Sequence, residues 1–399
     1  MSLESGLECN TLTASLPTGI SSTQLLEREF ATFFIGSGSS ISDPSAHPPL
    51  QALSVNSAAT GLQLALQAAG VGPGDEVITS PLNPTSTASV IRNLGASPVF
   101  VDIDPTTLNL DQCRIERSIT TRTKAILPIH IDGLACDMWS IAELARLYEL
   151  SVVEDGSQAL TSTFSRKPVG TLGSDATVFS LTAAGTETGA ECGILVTSSP
   201  AFATRCRTMR RELCGHGTGS LTQNQIPTTP SGPLGFRFNL NPAAATAGIA
   251  QVRLIRKSQE RRALIAARYD DALRELPIIL PAPVAEGDLH ARTRYTIRLD
   301  NSVRITRDNF IREMAELGIN CGSTFVPLHL HPYWGDFYHL QPHHFPSAWH
   351  AYERAVSLPI YSRMTDQDQL RVIESVQQVV KSAVARPRHS LFFSTAAVG

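Results

Sequence analysis

Residues 151–160 read SVVEDGSQAL: an apolar, β-branched run that ends in two acids, Glu154 and Asp155, and breaks at Gly156. A short apolar run closed by a glycine turn reads as a buried strand, with Asp155 at its carboxyl end. The same pattern recurs on both sides. Upstream lie the runs EVITS (76–80), SPVFVDID (97–104) and KAILPIH (124–130); downstream lie ATVFSL (176–181) and CGILVT (192–197). Helical spacing fills the gaps at 60–69 (TGLQLALQAA), 86–94 and 140–149. Short strands alternating with helices predict a mostly parallel sheet covered by helices on both faces. Right-handed crossovers then leave few topologies.

Beyond this region, residues 216–234 form a polar loop rich in Gly, Pro and Thr, and 243–276 reads as one long Ala- and Arg-rich helix ending before Pro277. A strand at 295–300 and helices at 307–318 and 366–380 follow. The expected organisation is an arm at 1–23, a large domain over 24–260, a small α+β domain over 261–385 and a tail at 386–399. No internal repeat is visible.

A chain of 399 residues suggests two domains rather than one simple core. A net charge of -3 removes any electrostatic case for nucleic acid or an anionic membrane. The opening MSLESGLECN has acids and no apolar h-region, so no secretory signal is expected, and no run of apolar residues is long enough to span a bilayer. The seven cysteines are scattered without CxxC spacing, which points to reduced thiols in a cytoplasmic protein and no zinc site. His329 and His331 with His339, His343 and His344 form a histidine-rich stretch, read as substrate-side or packing groups rather than metal ligands.

The ordered segments GPGDEVITS, GASPVFVDID, RTKAILPIH, VVEDGSQAL, VGTLGSDATVFSL, GFRFNLNPAAATAG and FVPLHLHPYW identify a resemblance over about residues 24 to 383. The chain resembles the DegT/StrS-type nucleotide-sugar aminotransferases, which use pyridoxal 5'-phosphate (PLP). The resemblance implies the aspartate-aminotransferase-like PLP fold type I, a homodimer with shared clefts, and a small-molecule substrate. It also implies roles. Asp155 would face the pyridine nitrogen, Gln158 the ring face and hydroxyl, and Ser180 the phosphate. Ser57 and Thr60 would lie at the phosphate-binding helix start, with Asn239 reaching the partner's phosphate and Arg237 at a usual basic position.

Three departures stand against that pattern. The segment 179–193 reads FSLTAAGTETGAECG, with Gly185 where the family's Schiff-base lysine would stand; the lysines of the chain are Lys124, Lys167, Lys257 and Lys381. The ring-stacking aromatic falls at Pro84, and the small-Thr pair at Ala58 and Ala59. Glycine supplies neither covalent anchor nor base, and a positioned base alone is worth roughly 10²–10⁴-fold. The expectation is therefore a repurposed enzyme with no cofactor, carrying out condensation, cyclisation or dehydration of a small biosynthetic intermediate. Asp155, Glu187 and Gln158 are the catalytic candidates; Arg237, Thr182, Thr186, Pro84 and His329 are the substrate-binding ones. Two alternatives stay open: an enzyme holding PLP or pyridoxamine phosphate (PMP) non-covalently, and a non-catalytic partner of an aminotransferase.

Overall fold

The computed structural model describes residues 20–35, 50–181, 191–210, 235–323 and 325–385. Its centre is a seven-stranded sheet of β1 (Gln51–Val55), β2 (Glu76–Thr79), β3 (Ser97–Phe100), β4 (Thr123–Ile126), β5 (Ser151–Asp155), β6 (Ala176–Ser180) and β7 (Gly193–Thr197), in the order β1-β7-β6-β5-β4-β2-β3. The pairings β3–β2–β4–β5–β6 are parallel, whereas β7 runs antiparallel to both of its neighbours. Strands buried on both faces need apolar residues at successive positions, and Val152 and Val153 serve opposite faces of the sheet.

One face is covered by α1 (Ser22–Ile35), α4 (Met138–Leu147) and the first half of α6 (Pro242–Leu273). The other carries α2 (Ala58–Ala68), α3 (Thr85–Asn93) and α5 (Pro200–Arg210). The start of α1, Ser22 and Thr23, falls inside the expected arm at 1–23. Its cause is Leu26, Phe30 and Phe34, four residues apart on one stripe and all buried against the sheet and α6. The edge strand β1 was likewise absent from the sequence reading.

Helix α6 starts with Asn241 accepting from the Ala243 N–H and with Pro242 in the first turn. Ala245, Ile249, Val252 and Ile255 belong to the core under the large sheet; Ile265, Ala266, Tyr269 and Leu273 belong to a separate core. That second core packs the three-stranded antiparallel sheet β8 (Ile278–Ile279), β9 (Tyr295–Leu299) and β10 (Ala355–Leu358) against α7 (Arg307–Glu316) and α10 (Asp366–Ala385). The changeover between cores lies between Ile255 and Ile265.

A third cluster joins the large sheet to the segment holding α8 (Pro332–Phe337) and α9 (Pro346–Arg354). Leu82, Ile103 and Ile129 pack on Phe345, Ala348 and Ala351. The buried Asp102 carboxylate caps α9, accepting from the Ser347 N–H at 2.9 Å and the Ala348 N–H at 3.0 Å. No described helix is long and apolar enough to cross a membrane.

Candidate active site

The carboxyl ends of the parallel strands are where open α/β sheets bind ligands. Asp155 ends β5 there and is 4% exposed. Its Oδ2 accepts from Thr87 Oγ1 of α3 at 2.9 Å and its Oδ1 from the Ser157 N–H at 3.1 Å. A carboxylate has about four acceptor positions, so Asp155 keeps capacity for a further donor. Thr87 was not foreseen from sequence. The signal was its place one helical turn after Pro84, which precedes α3 as its N-cap without a side-chain capping bond.

Glu154 points to the opposite face, as strand alternation requires. It accepts from Thr177 Oγ1 at 2.7 Å and from Ser174 Oγ, and His130 Nε2 lies 2.8 Å away. The Cys136 N–H donates to His130 Nδ1, which leaves the His130 proton on Nε2, facing Glu154. Burial pushes the Glu154 carboxyl up, but the bonds from His130, Ser174 and Thr177 outweigh it, and the net direction is down. This pair sits behind the sheet from Asp155 and braces the strand that carries it.

A second corner forms where β6, β7 and α2 meet. Ser57 caps α2, its Oγ accepting from the Thr60 N–H, while Thr60 Oγ1 donates to Ser57 O at 2.8 Å. The Thr60 hydroxyl is thus committed to the cap. Ala58 and Ala59 carry first-turn N–H groups that the helix itself leaves without acceptors. Ser180 ends β6 opposite Gly193 in register. A Cβ on Gly193 would stand 2.4 Å from Ser57 O and 2.7 Å from Ala58 N, so only glycine lets β7 approach the cap this closely. Ser57, Ser180 and the α2 amides therefore share one corner, suited to an anion.

Gln158 is buried, and its Oε1 accepts from the Asp132 N–H at 3.1 Å. Arg237 and Asn239 are exposed on the extended segment 235–241, in which Phe236 and Phe238 stack with ring centroids 4.9 Å apart. His329 is 4% exposed, stacks on Phe345 at 5.2 Å, and is pushed down to about 4 by burial. It packs on Phe345, and no described hydrogen bond links it to Asp155. Thr182, Thr186 and Glu187, with Gly185 between them, lie outside the described residues.

The sequence profile of the DegT/DnrJ/EryC1/StrS aminotransferase family matches residues 47–377. This chain belongs to that family. Among curated relatives, the family member resembles the spore coat polysaccharide biosynthesis protein SpsC of Bacillus subtilis, with 36% identity over 368 residues and 90% of each chain covered. It resembles the GDP-perosamine synthase of Caulobacter vibrioides at 34% identity, covering 82% of this chain and 85% of the other. Among solved structures, the PMP form of Spr1654 from Streptococcus pneumoniae superposes with a TM-score of 0.79 at 25% identity, covering 94% and 95% of the two chains, and its PLP form matches equally. The PLP fold type I expectation holds.

One expectation is corrected here. The reading of no cofactor gave the glycine at 185 more weight than the rest of the cleft. The family is one of aminotransferases and its solved relatives include PLP and PMP forms. The groups at the carboxyl ends of the strands also fit it: a buried carboxylate with spare acceptor capacity, and a helix N-terminus with two serines at the anion corner. Position 185 is glycine, and Lys124, Lys167, Lys257 and Lys381 are all exposed.

Proposed function

We infer that this enzyme-family member acts on a sugar-derived small molecule using PLP or PMP held by non-covalent contacts alone. The observation that carries the reading is Asp155, a buried carboxylate at the end of the central strand with room for one more donor. PLP or PMP, when bound, supplies an electron sink for the substrate carbon attached to it. The chain's residues would do the rest. Asp155 would hold the proton on the ring nitrogen, with Thr87 keeping the carboxylate oriented for it. The Ala58 and Ala59 amides with Ser57 and Ser180 would take the phosphate. Pro84 and Gln158 would serve the ring, Gln158 through the ring hydroxyl, and Arg237 would meet an anionic part of the substrate. Asn239 would serve the partner's cleft, and Glu187 is the acid–base candidate by its place beside Gly185.

Sugar chemistry is supported by the curated relatives' names, polysaccharide biosynthesis and perosamine synthesis. A missing lysine removes a base worth roughly 10²–10⁴-fold for repeated amine transfer. That favours dehydration assisted by bound cofactor. Amine transfer is the second reading, favoured by the family itself. An absorbance titration with PLP and with PMP tests the account. Saturable binding that dialysis reverses is expected, weakened roughly tenfold or more by Asp155→Asn through loss of a charge-assisted bond. Equal affinity in the variant would remove Asp155 from the site.

A further inference from the structure

We propose that Asp132 is a positioning residue that orients the Gln158 amide, so that Gln158 offers its Nε2 hydrogens, and not its oxygen, to whatever occupies the cleft. An amide oxygen held by a backbone N–H keeps a second lone pair but is turned toward that donor, which turns the NH₂ group the other way. Here the Asp132 N–H donates to Gln158 Oε1 at 3.1 Å. That geometry depends on an unusual backbone. Asp132 has φ 55°, in the left-handed region that Asp and Asn tolerate better than most residues, and Gly133 follows at φ 89°.

The surroundings hold the turn in that conformation. Asn109 clamps both sides of it, with Oδ1 accepting from the Ile131 N–H at 2.9 Å and Nδ2 donating to Leu134 O at 3.0 Å. Ser162 Oγ and the Ala291 N–H both donate to Gly133 O. A Cβ on Gly133 would stand 2.7 Å from Gln158 O and 2.8 Å from Ala291 Cβ, so the turn, the Gln158 backbone and the 290s segment are packed together. The Asp132 side chain is buried, beside Thr296 of β9 and within the field of Arg294. Strain kept by this many contacts and aimed at one side-chain oxygen fits a positioning role. The amide orientation rests on geometry; its use toward a cofactor rests on the function proposed above.

Backbone and side-chain roles separate by substitution. Asp132→Gly accepts a positive φ and keeps the N–H, so PLP and PMP affinity should stay within about twofold of the parent. Asp132→Val resists that φ and should lose affinity on the order of tenfold, the same loss as Gln158→Ala, with no further loss in the double variant. Additive losses, or a Gly variant as weak as the Val variant, would overturn the proposal. A ligand-free readout stands beside this: amide exchange at Asp132 should be slow in the parent and quickened by Gln158→Ala. Slow exchange that survives Gln158→Ala overturns the orientation. Quickened exchange in a protein that binds neither PLP nor PMP supports the orientation while sinking the cofactor reading.

Discussion

At the scale of single residues, the neighbours Glu154 and Asp155 divide the labour of one strand end. Asp155 faces α3 and accepts from Thr87; Glu154 faces away into a closed set of donors from His130, Ser174 and Thr177. Because the Glu154 carboxyl is held below its ordinary value of 4.5, its contribution to stability is present above that pH. It is lost as the pH falls through the lower folded-state value. Thermal melts across pH 3–7 should therefore show a steep acid-side loss of Tm in the parent protein. Glu154→Gln should flatten that part of the curve while costing about 1–3 kcal/mol near neutrality, the scale of depriving buried donors of a charged acceptor. An unchanged acid limb in the variant would assign the loss to other carboxylates.

Among elements, the hairpin Thr163–Phe164 and Lys167–Pro168 turns through Ser165 and Arg166 at φ 52° and 62°. Asp288 offsets that conformation by accepting from both turn N–H groups and from Thr163 Oγ1. Glycine carries no Cβ penalty there, so Arg166→Gly should stabilise the protein by about 1 kcal/mol in chemical denaturation, with the cleft untouched. A lower midpoint would mean that the Arg166 side chain contributes more by packing on Gly287 than its backbone costs. The central strands and their helices were legible because burial on both faces demands unbroken apolar runs. Helix α1 and strand β1 were not, since their apolar residues follow a stretch without periodicity and their partners lie far along the chain. Within the site, Asp155 was legible as an acid ending such a run. Thr87, Gly193 and Asp132 were not, because their roles depend on what the fold brings against them.

For the whole molecule, two cores share the long helix α6, and the segment around α9 is pinned to the large sheet through Asp102. Arg237 and Asn239 stand exposed on 235–241, where the Phe238 carbonyl accepts from the Asn56 N–H at 3.2 Å. An arrangement in which those residues complete a neighbour's cleft predicts a homodimer. Light scattering at micromolar concentration should give about twice the 43.0 kDa chain mass; a monomer would refute shared clefts. The central claim is a cofactor held without a covalent link, and mass spectrometry tests it most directly. The protein saturated with PLP is split in two, one half treated with borohydride and denatured, the other sprayed under native conditions. The account predicts a native ion carrying PLP and a denatured chain at its unmodified mass. A phosphopyridoxyl group fixed to any cleft residue after reduction would contradict it.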